Sequence, residues 1–268
     1  MGPMAYPEAR QYYPYHDSPI KEGLELFITP HSSTFSNLNI VLVDARRPAN
    51  IGATARCMMN MGISRLVLVN PPEYLNEESV KLAAGADDIL KQAVVTASLE
   101  DALRGQNLVY GTSRHPGRLR KNIRSPREAA EAMYPLLARN KIAIVFGNEI
   151  NGLNRRDLSL CHELISIPSS ASFPSLNLSH AVMVVAYELL CASAADSTPS
   201  TMKLAPAEDL ENFYHQLQEI LQMIGFLEQN HPERIMFSLR QIFGRSRLDS
   251  RDVKILRGIL STVKRVMH

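Results

Sequence analysis

Asn50 and Arg56, Gly147-Asn148-Glu149, and Ser175-Leu176-Asn177 are the groups in this 268-residue chain whose types and spacing could do chemistry. Three carboxamides, a carboxylate, a hydroxyl and a guanidinium can orient a reacting oxygen and stabilise charge that develops on it. Gly147 follows the apolar run Ile142–Phe146, and Pro174-Ser175-Leu176-Asn177 opens a long apolar helix. Strand ends and helix starts expose unsatisfied backbone groups, and open α/β sheets hold ligands at such places. Other chemistries find less support. No G-x-G-x-x-G follows the first strand, and no phosphate-binding G-x-x-x-x-G-K-[ST] occurs. His115, His162 and His180 lack metal-ligand spacing, so no metal is expected. Ser175 has neither a G-x-S-x-G setting nor an evident partner base, which argues against a serine nucleophile.

The elements that must position these residues read as an α/β domain. Short β-branched or apolar runs at 40–43, 66–69, 94–95, 108–110 and 142–146 predict parallel strands buried on both faces. Helices are expected from Asn50 to Asn60, closed by Gly62, from Ser98 to Leu103, and from Arg127 to Arg139. A further apolar run ends at Ile167-Pro168 before a Ser-rich turn. Residues 1–37 carry Pro3, Pro7, Pro14, Pro19 and Pro30 and predict a flexible arm. The α/β domain spans 38–195, and a Ser/Pro-rich linker spans 196–206. A small all-α unit follows over 207–268, with apolar stripes at Leu210/Phe213/Leu217/Ile220/Ile224, Ile235/Leu239/Ile242 and Val253/Leu256/Leu260/Val263.

Composition is that of an ordinary globular protein, with 45% hydrophobic and 21% charged residues. Cys57, Cys161 and Cys191 fit neither a disulfide framework nor a zinc site, no apolar run would span a bilayer, and no export signal opens the chain. The expected location is the cytoplasm. Net charge is only +2, but the cations cluster: residues 113–127 hold six Arg or Lys and no acid. Residues 231–268 hold nine Arg or Lys against Glu233, Asp249 and Asp252. Such clusters suit phosphate contacts, and Arg114, Arg118, Arg120, Lys121 and Arg124 are candidate RNA-binding residues.

Taken together, NIGATAR at 50–56, GTS at 111–113, FGNEINGL at 146–153 and SLNLSHAVMVVAYE at 175–188 resemble the SpoU branch of the SPOUT RNA methyltransferases. AEDLENFYHQLQEIL and DVKILRGIL are similar to the helical C-terminal domain of a tRNA-modifying member of that branch. The resemblance implies a SPOUT-like parallel sheet with a deep C-terminal trefoil knot, S-adenosylmethionine as methyl donor, and an obligate homodimer. It implies tRNA as partner, with neither DNA nor a membrane involved. It assigns cofactor contacts to Thr112, Ser113, Arg114, Gly147, Ile167, Pro174, Ser175 and Leu176. It puts Arg56 at the centre of catalysis, with Asn50 orienting it and Glu149, Ser175 and Asn177 in support. A guanidinium with a pKa above ~12 is a poor base, so Arg56 is expected to hold phosphate and stabilise a developing alkoxide.

The expected activity is 2′-O-methylation of the cytidine or uridine ribose at nucleotide 32 of the tRNA anticodon loop. Alternatives are another tRNA or rRNA ribose, or a non-catalytic RNA-binding assembly factor. Two departures from the branch pattern bear on RNA contacts. Arg114-His115-Pro116-Gly117-Arg118 replaces an expected Ala-Arg-x-Arg, so either Arg114 or Arg118 is the substrate arginine. Asn148 stands where an arginine is usual.

Overall fold

A computed structural model describes residues 35–114, 123–195, 198–227 and 232–267. The apolar runs form strands β1 (Leu38–Val43), β2 (Arg65–Val69), β3 (Val94–Thr96), β4 (Leu108–Thr112) and β6 (Ile142–Phe146). Two shorter strands, β5 (Ile123–Arg124) and β7 (Glu163–Ile165), complete a seven-stranded sheet in the order β3-β2-β1-β6-β4-β7-β5, with every pairing parallel. Residue alternation decides what covers each face. Ile40, Leu42, Leu66, Leu68, Ile142, Ile144 and Phe146 point into the larger core, while Val41, Val43, Val67, Val69, Ala143 and Val145 point into the thinner one.

Helix α1 (Pro48–Asn60) starts with proline at its first turn, two residues earlier than expected, and Gly62 follows its end at φ +71. It packs against α2 (Glu77–Ala83), α3 (Asp87–Lys91) and α7 (Leu178–Ala194), and α7 also packs against α5 (Pro126–Met133). Gly52 is required where α1 meets α2, since a Cβ there would lie 2.1 Å from the Ser79 carbonyl oxygen. The expected helix from Arg127 to Arg139 is shorter: α5 gives way to a 3₁₀ turn over Tyr134–Ala138. Pro135 is the reason, because it offers no N–H and its ring crowds the preceding turn. Helices α4 (Leu99–Ala102), capped by Ser98 as expected, and α6 (Arg155–Ser159) flank the thinner core.

Phe35, at the end of the stretch read as an arm, is buried and meets Tyr134 edge-on; residues 1–34 lie outside the described residues. Beyond α7, helices α8 (Ala207–Met223), α9 (Glu233–Gly244) and α10 (Ser250–Val266) build a third core around Leu210, Phe213, Tyr214 and Leu260. Asp249 caps α10, its side chain accepting from the Arg251 and Asp252 amides. The α9 stripe differs: Ile235 and Ile242 are exposed, and Met236 and Phe237 face inward instead. Gly244 packs against the His162 carbonyl, and that contact sets how α9 is turned.

β7 lies between β4 and β5, so the returning chain enters a gap between strands that precede it. The expected threading turns on the β4–β5 connection, and residues 115–122 of it lie outside the described residues. Among the described residues no helix is long and apolar enough to cross a membrane.

Candidate active site

Four segments meet at the C-terminal ends of the central strands: the end of β4, the loop after β6, the loop after β7, and the start of α7. The loop after β6 is folded by its own side chains. Asn148 Oδ1 accepts hydrogen bonds from the amides of Ile150 (3.0 Å) and Asn151 (2.8 Å), and Gly152 N–H donates to the Asn148 carbonyl at 2.9 Å. Gly152 takes φ +67, and a Cβ on Gly147 would sit 2.1 Å from the Gly152 backbone, so the turn admits no side chain there. In the loop after β7, Ser169 Oγ donates to the Pro174 carbonyl at 3.1 Å.

These segments enclose a cleft of about 240 Å³. Its lining includes all eight expected cofactor residues: Thr112, Ser113, Arg114, Gly147, Ile167, Pro174, Ser175 and Leu176. Leu153, Ile165, Ile167 and Leu176 give apolar walls, and Ser113 and Arg114 give a polar, cationic side. Thr112 Oγ1 donates to the Val145 carbonyl (3.0 Å), fixing β4 against β6 at the floor. Apolar walls beside strand-end backbone, closed by a loop with glycine at its turn, fit a nucleoside with a charged tail.

A second cavity of about 400 Å³ shares Glu149, Ile150, Ser175 and Leu176 with the first and adds Arg46, Arg47, Asn50, Phe173 and Asn177. The starts of α1 and α7 converge on it. Helix α1 has no cap from its own N-cap residue; Glu149 supplies one from the β6 loop. Its carboxylate accepts from Arg46 N (3.1 Å), Arg47 N (3.3 Å) and Asn50 Nδ2 (2.8 Å). Asn50 Oδ1 in turn accepts from Asn177 Nδ2 at 3.0 Å, and Asn177 Oδ1 accepts from Ser179 N (2.9 Å) and Oγ (2.8 Å), capping α7. Partial burial disfavours the charged form of Glu149, but the bonds from Asn50 and the backbone amides outweigh it and hold its pKa below the usual carboxylate range.

Asn50 was expected to orient Arg56, but its side chain is bonded to Glu149 and Asn177. A six-residue step on a helix turns the side chain by about 120°. Arg56 accordingly lies exposed, lines neither cavity, and has no hydrogen bond or ion pair among the described residues. Arg124, expected to meet RNA, forms an ion pair with Glu163, whose side chain is almost wholly buried and needs a counter-charge. Arg118, Arg120 and Lys121 lie outside the described residues. Sequence reasoning missed Arg46, Arg47 and Phe173; a double arginine just before Pro48 at the helix start was the available signal.

A doubly covered parallel sheet with a cleft at its strand ends, and a second cavity lined by Arg46, Arg47 and Glu149 beside it, is the arrangement of an α/β protein with a ligand site at its strand ends. The chain belongs to the SpoU rRNA Methylase family, which residues 37–187 match. Residues 208–268 match the C-terminal domain of tRNA methyltransferase TrmJ. The chain is similar to "tRNA (cytidine/uridine-2'-O-)-methyltransferase TrmJ" of Sodalis glossinidius, 39% identical, with 85% of this chain and 91% of that protein covered. The Pseudomonas aeruginosa protein named "tRNA (cytidine/uridine/adenosine-2'-O-)-methyltransferase TrmJ" is 40% identical over 85% of this chain and 94% of its own. The crystal structure of TrmJ from Z. mobilis ZM4 superposes with a TM-score of 0.74 at 32% identity, covering 84% of this chain and 98% of that one.

Proposed function

We propose that this chain is an S-adenosylmethionine-dependent tRNA 2′-O-ribose methyltransferase, acting as a cytoplasmic homodimer on cytidine or uridine at nucleotide 32 of the anticodon loop. The observation that carries the reading is the shared wall between the two cavities. Glu149, Ser175 and Leu176 line both, so a ligand in the first cleft and a nucleotide in the second would meet across them. Family membership and the names of the TrmJ relatives supply the donor, the tRNA and the ribose oxygen. S-adenosylmethionine, when bound, supplies an electrophilic methyl group.

The residues of the chain do the rest. Ile165, Ile167, Leu153 and Leu176 wall the nucleoside, and Ser113 and Arg114 face its charged tail. Arg46 and Arg47, which line the second cavity, attract the target phosphate. Glu149, its oxygens engaged by the Arg46 and Arg47 amides and by Asn50 and its pKa held below the usual carboxylate range, is an anchor for Asn50 and the α1 start. Arg56 points out of its own chain, which suits a guanidinium offered to the neighbouring subunit's site, where it holds phosphate and stabilises charge developing on the 2′ oxygen as the hydroxyl proton leaves to water. Exposed Met59 on α1 and Tyr187 on α7 are candidate contacts between the copies.

The test is methyl transfer from labelled S-adenosylmethionine to unmodified tRNA, with the product mapped by mass spectrometry. Wild type should label one ribose, at nucleotide 32, and Arg56→Ala should lose at least ~100-fold in rate while binding the cofactor normally. Absence of transfer by wild type, with RNA bound but no heat of cofactor binding, would leave an RNA-binding factor and overturn the reading.

A further inference from the structure

Glu163 opens β7 with 4% of its side chain exposed, and two guanidinium groups close on it from different parts of the chain. Arg124 of β5 donates through Nε to Oε2, and Arg247, in the turn between α9 and α10, lies 3.4 Å from Oε1. Among the described residues β5 pairs with Leu164 and Ile165, and Arg247 reaches Glu163 from the C-terminal helices. Arg247 holds a backbone φ of +50, a left-handed conformation that a non-glycine residue adopts at a cost and keeps only when its surroundings enforce it.

The same few residues of β7 also carry the site. Ile165 lines the ligand cleft, its carbonyl accepts the Ser113 amide at 3.0 Å, and Ser166 N–H donates to the Arg124 carbonyl at 2.9 Å. Ser113 and Arg124, the residues on which the described chain leaves β4 and ends β5, are thus both fastened within one residue of Ile165. Buried ion groups add little net stability compared with apolar packing, so a carboxylate kept here between two arginines acts mainly on geometry.

We propose that Glu163 is a positioning residue for RNA engagement. It locks the basic α9–α10 turn, through Arg247, and the β5 end of the basic stretch, through Arg124, onto the strand that walls the ligand cleft. Phosphate contacts made by the helical C-terminal segment are thereby set at a fixed distance from the reacting ribose. This rests on the proposed RNA substrate and goes beyond it by assigning the coupling between the two parts of the chain to one side chain.

The test uses the full-length protein. Glu163→Gln, which keeps shape and removes charge, should raise KM for tRNA about tenfold while kcat and the cofactor Kd stay within about twofold. Glu163→Asp, which keeps the charge, should recover most of the loss. Arg247→Ala should raise KM similarly, and Glu163→Gln should add little to it, since both remove one coupling. An unchanged KM in folded Glu163→Gln overturns the proposal, as does a parallel loss of kcat, KM and cofactor affinity. If Glu163→Gln fails to fold, Arg247→Ala against Arg247→Lys carries the test, and equal, wild-type KM values overturn it. If wild type methylates no tRNA, the proposed function fails separately, and the same variant ratios are then read from RNA affinity by fluorescence anisotropy.

Discussion

The Glu149 carboxylate accepts from two backbone amides and one carboxamide at once, and this fixes what it can do. A carboxylate so held is a strong acceptor and a weak base, so it shapes the second cavity without entering proton transfer. Around the same cavity Phe173 and Ile150 are 77% and 64% exposed, an unusual state for large apolar side chains beside a polar network. An aromatic face at that rim can stack on the base of a splayed nucleotide, while Arg46 and Arg47 meet its phosphate. Phe173→Ala should therefore raise KM for tRNA about tenfold, stacking being worth roughly 1–3 kcal/mol per base, and leave cofactor affinity unchanged. Phe173→Tyr should restore it. Steady-state kinetics with cofactor titration checks both, and an unaltered KM for Phe173→Ala would remove the ring from substrate binding. Phe173 was not legible in the sequence, because a loop residue belongs to no periodic pattern and its neighbours are set by the fold alone, whereas the arginine pair was marked only by its place just before Pro48.

At the scale of elements, the strands were legible where every residue is apolar. The runs that became β1, β2 and β6 carry Val, Ile, Leu, Ala and Phe almost without interruption, as burial on both faces demands. β7 showed only as the short apolar run ending at Ile167-Pro168, since it begins with a buried glutamate, and β5, with two residues, did not show at all. Helix α2 escaped for a related reason: its Asn76–Ser79 capping box is clear, but Val80 and Leu82 point to solvent and give no core-facing stripe. In α9 two apolar faces compete, and packing against His162, not periodicity, selects Met236 and Phe237.

Two elements carry predictions. Gly52→Ala would drive a methyl into the Ser79 carbonyl and separate α1 from α2, costing about 1–3 kcal/mol in the urea unfolding free energy and disturbing Asn50 two residues away. His162, at the junction of β7 with α9, is fully buried, and burial pulls its pKa from 6.5 down to about 4 against the nearby carboxylates of Glu211 and Glu163. Its Nδ1 accepts the Val109 amide at 3.0 Å, so the native imidazole is neutral. Between pH 6.5 and about 4 the unfolded chain binds a proton there that the folded chain refuses, and stability falls as pH is lowered through that window. From pH 7 to 5 the urea midpoint of wild type should drop more steeply than that of His162→Gln, whose amide can still accept from Val109. Equal slopes would show that another group governs the acid limb.

At the scale of the molecule, the position of Arg56 is the hardest fact to reconcile with a site built from one chain. Every other residue expected to take part in catalysis lines one of the two cavities, whereas Arg56 faces outward from α1. The proposed two-fold dimer would account for this, with each copy's Arg56 offered to the other copy's cavities across an isologous interface. Mixed dimers can then do what neither parent can. Arg56→Ala keeps intact cavities but offers no guanidinium; Asn177→Ala offers Arg56 but loses the link between Asn50 and α7. In a heterodimer of the two, one of the two sites regains a full set, and the other is doubly defective. Random re-association of equal amounts makes half the dimers mixed, so activity should recover to about a quarter of wild type, from two preparations that are each nearly inactive. The measurement is methyl transfer before and after mild unfolding and co-refolding of the mixture, with native mass spectrometry of differently tagged chains to count mixed dimers. Mixed dimers formed without recovered activity would place Arg56 in its own subunit's site, and the chain would then have to bend α1 inward on binding RNA.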